Sequence, residues 1–332
     1  MLKKILDYNP RHSSHFCQLA FGIITLSFLY YPSMAQKEDN SKILWAANWS
    51  KDNSYFAIGG VDNKIRLFSG KSFELLSTIE NSTSIQRMSW HPHFNILAVA
   101  ATGNGSKIID VEKDSTTYLQ GDNNYGGRAI AWNSTGDLLA YADYEGEITI
   151  WNKEGELIRT IKKGNTISNV AIDWHPSKDE FVVLSDSVRI YNSDGELLNQ
   201  FEHRKKNVLL LCVQWHPSGD FFAIGDYGDT ENDYKPLLQF WKPKGHLIKE
   251  IAISKAEYRN LSWSADGKKL ATASDALRIW NRNGKLLAEG LSEDYLWGVD
   301  WSPNGQFIVT SSTNGHIKIW NNKAKVIKEL TY

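Results

Sequence analysis

Cysteine is nearly missing from this chain, with 2 in 332 residues, Cys17 and Cys212. Two thiols so far apart in sequence make neither a disulfide framework nor a zinc knuckle, since both need clustered cysteines. Cys212 lies in the apolar run "VLLLCVQW", where a free thiol behaves as a small buried hydrophobe. Proline is scarce, at 8 residues, and no sign of charge dominates, the net charge being −1. That balance gives none of the basic footprint that nucleic acid requires, so no nucleic-acid partner is expected. The enzyme motifs are missing too. There is no Gly-x-Ser-x-Gly, His-Glu-x-x-His, phosphate loop or Cys-x-x-Cys. The expectation is a protein that is not an enzyme, without cofactor, bound metal or catalytic residues.

Long apolar runs are absent except for one. Cys17–Tyr31, "CQLAFGIITLSFLYY", follows Lys3, Lys4 and Arg11 and precedes Ser33-Met34-Ala35. Basic residues, then an apolar stretch, then small-x-small spell a secretory signal over residues 1–35. The run is short for a membrane span, which takes roughly 20 residues. The expectation is an exported protein, periplasmic or secreted, with no membrane insertion after signal cleavage. An uncleaved N-terminal anchor is the alternative.

What the chain has in quantity is aromatic side chains, including 13 Trp and 14 Tyr. Seven of the tryptophans, Trp49, Trp90, Trp132, Trp174, Trp215, Trp263 and Trp301, are spaced by 41, 42, 42, 41, 48 and 38 residues. A period near 42 marks a repeat architecture. Each unit has one grammar. An alternating segment leads to the Trp, as in "NVAIDW" 169–174. A turn follows, as in "SPNGQ" 302–306, and then an apolar segment such as "KLATAS" 269–274. A strict alternation ends on an aromatic, as in "EITIW" 147–151 or "HIKIW" 316–320, and a last alternating segment closes the unit, as in "KVIKEL" 325–330. Period two throughout, with Gly, Asn and Asp between the runs, predicts four short antiparallel strands per unit. A lone four-stranded sheet with two apolar faces is not soluble, but seven stacked radially bury both faces of each. The expected fold is all-β: a single closed seven-bladed β-propeller over residues 40–332. Its blades fall near 40–80, 81–122, 123–164, 165–205, 206–253, 254–291 and 292–332.

The pattern "W-S-P-x-G…D…I-x-I-W" resembles the WD40 repeat, in seven phased copies over about residues 40–332. The resemblance is degenerate. The terminal Trp-Asp is Trp-Asn at 151–152, 280–281 and 320–321, and the upstream Gly-His is missing. The family's Asp between second and third strands is plain only at Asp62, so the family's Asp-His-Ser-Trp hydrogen-bond set is not expected intact. Where the His would stand are Asn40, Asn81, Asn123, Asn165, Lys206, Ser254 and Ser292, and Asn and Ser cap turns by bonding nearby backbone. Many members of the family close the ring by letting the N-terminal segment supply the last blade's outer strand. Here unit seven carries its own, "KVIKEL", so strand exchange is expected to be absent. Blades 7 and 1 would then meet by apolar face packing alone.

The resemblance also places the position four residues before each core Trp beside the upper mouth of the central channel. Those positions hold Trp45, Gln86, Arg128, Val170, Leu211, Arg259 and Trp297. Trp and Arg are favoured binding residues. Trp45, Gln86, Arg128, Arg259 and Trp297 are therefore the candidate partner-binding rim, with packing of the 7/1 seam as the competing role for the two tryptophans. Unit five is long, and its extra length, "GDYGDTENDYKP" 225–236, joins its second and third strands on the same face. Tyr227, Asp229, Glu231, Asp233 and Tyr234 make it a candidate contact loop. A calcium loop or a merely solvated acidic loop are its alternatives. His91, His175 and His216 recur in "WHP" turns of different blades, so they read as repeat grammar. By analogy with the family, the expected function is a monomeric scaffold for a protein or peptide partner. A carbohydrate- or small-ligand-binding propeller is the alternative, and a hydrolase a more distant one.

Overall fold

The computed structural model describes residues 40–119, 126–161, 168–203, 208–229 and 233–332. The expected signal segment 1–35 and the expected turn residues Asn123, Asn165 and Lys206 lie outside the described residues. The described residues form 28 strands in seven four-stranded antiparallel sheets. Blade 1 shows the plan: β1 (Ala46–Trp49), β2 (Tyr55–Gly59), β3 (Lys64–Ser69) and β4 (Leu75–Glu80), hydrogen-bonded in that order. The inner strands of the next six blades are β5 (Ile85–Trp90), β9 (Gly127–Trp132), β13 (Ala171–Trp174), β17 (Leu210–Trp215), β21 (Asn260–Trp263) and β25 (Leu296–Trp301). Each ends on its core tryptophan. Among the described residues, no helix is long and apolar enough to cross a membrane.

Burial follows radius. β2 and β3 are almost wholly buried while β4 is almost wholly exposed. A sheet sandwiched between two others has no solvent face, so its inner strands read as continuous apolar runs. The core is divided among the gaps between blades. At the 7/1 gap Leu44, Trp49, Phe56, Ile58 and Phe68 pack with Val309, Ile317, Ile319 and Leu330. Four further tryptophans, Trp151, Trp241, Trp280 and Trp320, lie at the ends of third strands. Their indole N–H groups donate to Thr149 Oγ1 (2.8 Å), Gln239 Oε1 (3.1 Å), Thr272 Oγ1 (3.0 Å) and Thr310 Oγ1 (2.8 Å). Repeat grammar thus accounts for every Trp except Trp45 and Trp297.

Blade 7 is built from β25, β26 (Phe307–Ser312), β27 (Ile317–Asn321) and β28 (Val326–Leu330), and no described strand from the other end joins it. The seam differs from the apolar contact expected. Leu44 N–H donates to Ser312 O at 3.1 Å, as Ile85 N–H does to Gly60 O (2.9 Å) and Leu296 N–H to Ser274 O (2.8 Å) at other gaps. Ser311 Oγ donates back to Leu44 O at 2.9 Å. Closure therefore reuses the backbone bond that joins other neighbours in the ring. Gly298 permits the approach, because a Cβ there would crowd Ser311 Oγ and stand 2.8 Å from Ala47 N.

The turns between second and third strands correct another expectation. Asp62 is not alone. Asp186 and Asp275 hold the same turn in blades 4 and 6, and each pairs with a buried arginine three or four residues on: Asp62 with Arg66, Asp186 with Arg189 (2.7 Å) and Asp275 with Arg278 (2.7 Å). Asp143 accepts the N–H groups of Glu145 and Glu147 at 3.0 and 2.8 Å. Asp226 faces His203 at 3.2 Å, both buried. In three blades the acid is thus paired with a downstream arginine instead of the upstream histidine that the WD40 resemblance implies. Of the expected capping residues, Asn81 donates to Thr83 O (2.7 Å), Ser254 to Ala256 O (2.7 Å), and Ser292 Oγ accepts from Asp294 N–H (3.4 Å).

Candidate functional site

A strand that simply alternated would send the rim positions into the gaps between blades. In four blades the register slips at that residue. Gln86, Arg128, Leu211 and Trp297 are each the extra residue of a β-bulge against the second strand. A bulge bends the strand and re-aims one side chain. Arg128 and Trp297 keep part of their side chains exposed, whereas Gln86, Leu211 and Val170 are buried. Gln86 thus departs from the displayed rim expected of it.

The structure brings Trp45, Arg259 and Trp297 together with Tyr227. The indoles of Trp45 and Trp297 stack across the 7/1 seam, with centroids 6.0 Å apart and planes at 17°. The guanidinium of Arg259 lies 3.9 Å from the Trp297 ring centroid and 5.5 Å from that of Tyr227, a cation–π arrangement. Its Nε also donates to Glu257 Oε1 at 2.8 Å. Consecutive blades 6, 7 and 1 therefore supply one continuous surface, and Trp45, Arg259 and Trp297 each keep part of their side chain exposed. Arg128 stands over Tyr144 at 5.8 Å. Burial, despite that tyrosine, and the nearby charge of Arg259 hold the Arg128 pKa below its usual value.

Arg87 joins the site from outside the expected rim positions. It follows the bulge in β5 and reaches across the channel, where Nη2 donates to Arg259 O at 3.2 Å and Nη1 to Gln86 O at 3.1 Å. Burial brings its pKa down to about 10, with Arg128 and Arg259 pressing the same way. A signal for it exists in the sequence. Three residues before the core Trp, the other blades carry only Ala46, Ala129, Ala171, Cys212, Asn260 and Gly298. Six small side chains leave an axial space that one arginine crosses. Cys212 beside it donates to Tyr258 O at 3.3 Å. Burial pushes its thiol up to about 12, so it stays protonated and unreactive.

Below Arg87 the channel holds a cavity of about 250 Å³, lined among others by Asn48, Ser89, Asp173, Gln214 and Asp300. These residues immediately precede core tryptophans, and five positions of this kind accept the backbone N–H of a neighbouring blade's core Trp, Ser89 from Trp132 at 3.2 Å among them. Asp173 accepts from Trp215 (2.7 Å), Gln214 from Trp263 (2.7 Å), Ser262 from Trp301 (3.2 Å) and Asp300 from Trp49 (2.8 Å). Burial raises the Asp173 pKa to about 7 against the opposing pull of the Trp215 N–H, and burial raises that of Asp300. At the bottom, the "WHP" histidines also join blades. Nε2 of His91, His175 and His216 bonds Gly136 O (3.1 Å), Gly219 O (3.1 Å) and Gly267 O (2.8 Å) in the following blade. Each Nδ1 accepts a turn N–H, from His93, Ser177 and Ser218, which assigns the proton to Nε2. Burial holds all three pKa values below 6.5.

In the long loop, Asp226 faces inward. Its Oδ1 accepts the N–H of Gly228 (3.0 Å) and Leu237 (2.7 Å) and so ties the two ends of the loop together. Asp229 and Tyr234 exchange backbone bonds at 2.7 and 2.9 Å. Asp233 is exposed, and Glu231 lies outside the described residues. Among the described residues no group of His, Cys, Asp or Glu is arranged to hold a metal ion.

The molecule is thus a closed seven-bladed β-propeller with a basic, aromatic patch at one mouth of its channel. The family described as "WD domain, G-beta repeat" matches residues 35–69 and 284–321, and that described as "Eukaryotic translation initiation factor eIF2A" matches residues 148–299. The matched WD stretches and the seven four-stranded sheets together support a WD40-repeat β-propeller family for this chain. Among curated proteins it is similar to a subunit of eukaryotic translation initiation factor 3 from Schizosaccharomyces pombe, at 22% identity over 92% of this chain and 43% of the relative. It is similar to Protein HIR1 of Cryptococcus neoformans at 24%, over 46% and 20%. A probable cytosolic iron-sulfur protein assembly protein 1 of Kluyveromyces lactis matches at 27%, over 28% and 32%. The chain spans less than half the length of each of these relatives. A translation factor component and a cytosolic assembly protein point away from export. The expected periplasmic or secreted location is corrected on that ground.

Proposed function

We propose that this protein is a monomeric, non-catalytic scaffold that binds a protein or peptide partner through the upper mouth of its channel. The observation that carries the reading is the Arg259–Trp297–Trp45 cluster. Every other tryptophan is accounted for by the repeat, and these two stack, partly exposed, beside an arginine at one rim. Rigid aromatics and arginine bury much area on binding at small entropic cost. Similarity to a translation initiation factor component, by name one part of a larger assembly, supports the same reading. Tyr227, in contact with Arg259, makes the blade 5 loop a side wall of the surface, and Asp229, Glu231 and Asp233 follow it in sequence.

Affinity capture from extract tests this, with three baits: the wild type, Trp45→Ala/Trp297→Ala, and Phe94→Ala as a control. Phe94 is 58% exposed and lies in a turn of the opposite face. The expected result is loss of partners with the rim variant and retention with the control. Identical partners for all three baits contradict the proposal.

A further inference from the structure

The upper mouth gathers three guanidiniums, from Arg87, Arg128 and Arg259, and their charges act on one another. Among the described residues one carboxylate answers them, Glu257, and it is engaged by Arg259. Arg87 spends donors on two carbonyl oxygens, and Arg128 has an aromatic face beside it but no described carboxylate. Partly buried like charges with this few counter-charges are held at a cost, which a bound anion would remove. The planar fork of arginine fits carboxylate oxygens pairwise. The walls are Trp45, Trp297, Tyr227 and Tyr144, which suit an apolar or aromatic neighbour rather than a bare ion.

Resting on the proposed rim function, we infer that the mouth recognises an acidic peptide segment. A Glu or Asp carboxylate sits among Arg87, Arg128 and Arg259, with an adjacent apolar side chain on the Trp45–Trp297 stack. Arg128 is the discriminating residue, because no carboxylate among the described residues engages it. Glu257 competes with the ligand for Arg259. Two substitutions at one site therefore act in opposite directions, which a purely structural role does not produce.

A library of random peptides displayed on phage is panned on the full chain, and the enriched peptides are labelled and titrated by fluorescence anisotropy. Acidic residues are expected to be enriched. Arg128→Gln weakens those peptides about tenfold, Arg128→Lys less, and Glu257→Gln tightens them, while added salt weakens binding to the wild type. Circular dichroism melts confirm that each variant is folded, and Arg128→Lys keeps the test valid if Arg128→Gln is not. Enrichment of neutral or basic peptides, or equal affinity for wild type and both Arg128 variants, overturns the inference. Should such peptides still be lost with Trp45→Ala/Trp297→Ala, the rim function stands and only the acidic specificity falls. Absence of any enriched peptide, or indifference to every rim variant, overturns both.

Discussion

At the lower end of the channel, polar side chains are answered by a neighbouring blade; at the upper mouth, among the described residues, charges outnumber their partners. Asp173, Gln214, Ser262 and Asp300 each accept a tryptophan N–H from the next sheet, and three histidines bond the next turn. Above Arg87 the side chains differ from blade to blade, and bulges place Arg128 and Trp297 outside the strand alternation. Repeated positions do the same job around the ring, and that job is closure. Positions that break the repeat are free of it, and they collect on one face.

The largest effect that sharpens this contrast is at a repeated position. Trp49→Ala removes a fully buried indole from the 7/1 core and is expected to cost about 3–5 kcal/mol in urea unfolding. Gly298→Ala comes next. Its new Cβ would meet Ala47 N at 2.8 Å, and a loss of about 1–3 kcal/mol is expected from overpacking. Because the seam uses the ring's common bond, unfolding should remain a single transition, with no early release of blade 1.

The channel's own titrating groups oppose each other, and pH separates them. His91, His175 and His216 have folded pKa values below 6.5, so their contribution is complete above that pH and is lost as pH falls below it. Asp173, raised from 3.8 to about 7, contributes fully below its ordinary value and loses that contribution progressively as pH rises to 7. The three histidines outweigh one carboxyl below 6.5, so stability should rise toward that pH and then slip slightly up to 7. Asp173→Asn keeps an acceptor for Trp215 N–H and is expected to gain on the order of 1 kcal/mol at pH 8. His216→Gln is expected to lose a comparable amount at neutral pH and to flatten the acid side of the profile.

Much of the fold was legible because tryptophan spacing is a one-dimensional signal. Each expected inner strand ends on its core Trp, and "KVIKEL" does form the last blade's own edge as β28. What stayed hidden depends on register or on the ring. A bulge cannot be read until a strand has a partner, so the outward turn of Trp297 and the burial of Gln86 looked alike. The Asp–Arg turns at Asp186 and Asp275 do not show in the family's pattern, which has a histidine upstream, because here the arginine sits downstream in the third strand. Arg87 needed the closed channel, where the small residues of six other blades leave it room. Asp173 and Asp300 looked like ordinary strand residues for the same reason. The stacking of Trp45 on Trp297 followed from closure itself, since the first and last units become neighbours.

The Trp45→Ala/Trp297→Ala variant tests the division between closure and recognition most directly, with peptide binding and urea unfolding measured on the same preparation. Lost binding, with a smaller loss of stability than Trp49→Ala produces, is the predicted result. Retained binding, with stability lowered as far as by Trp49→Ala, would show that the two indoles serve only to seal the ring.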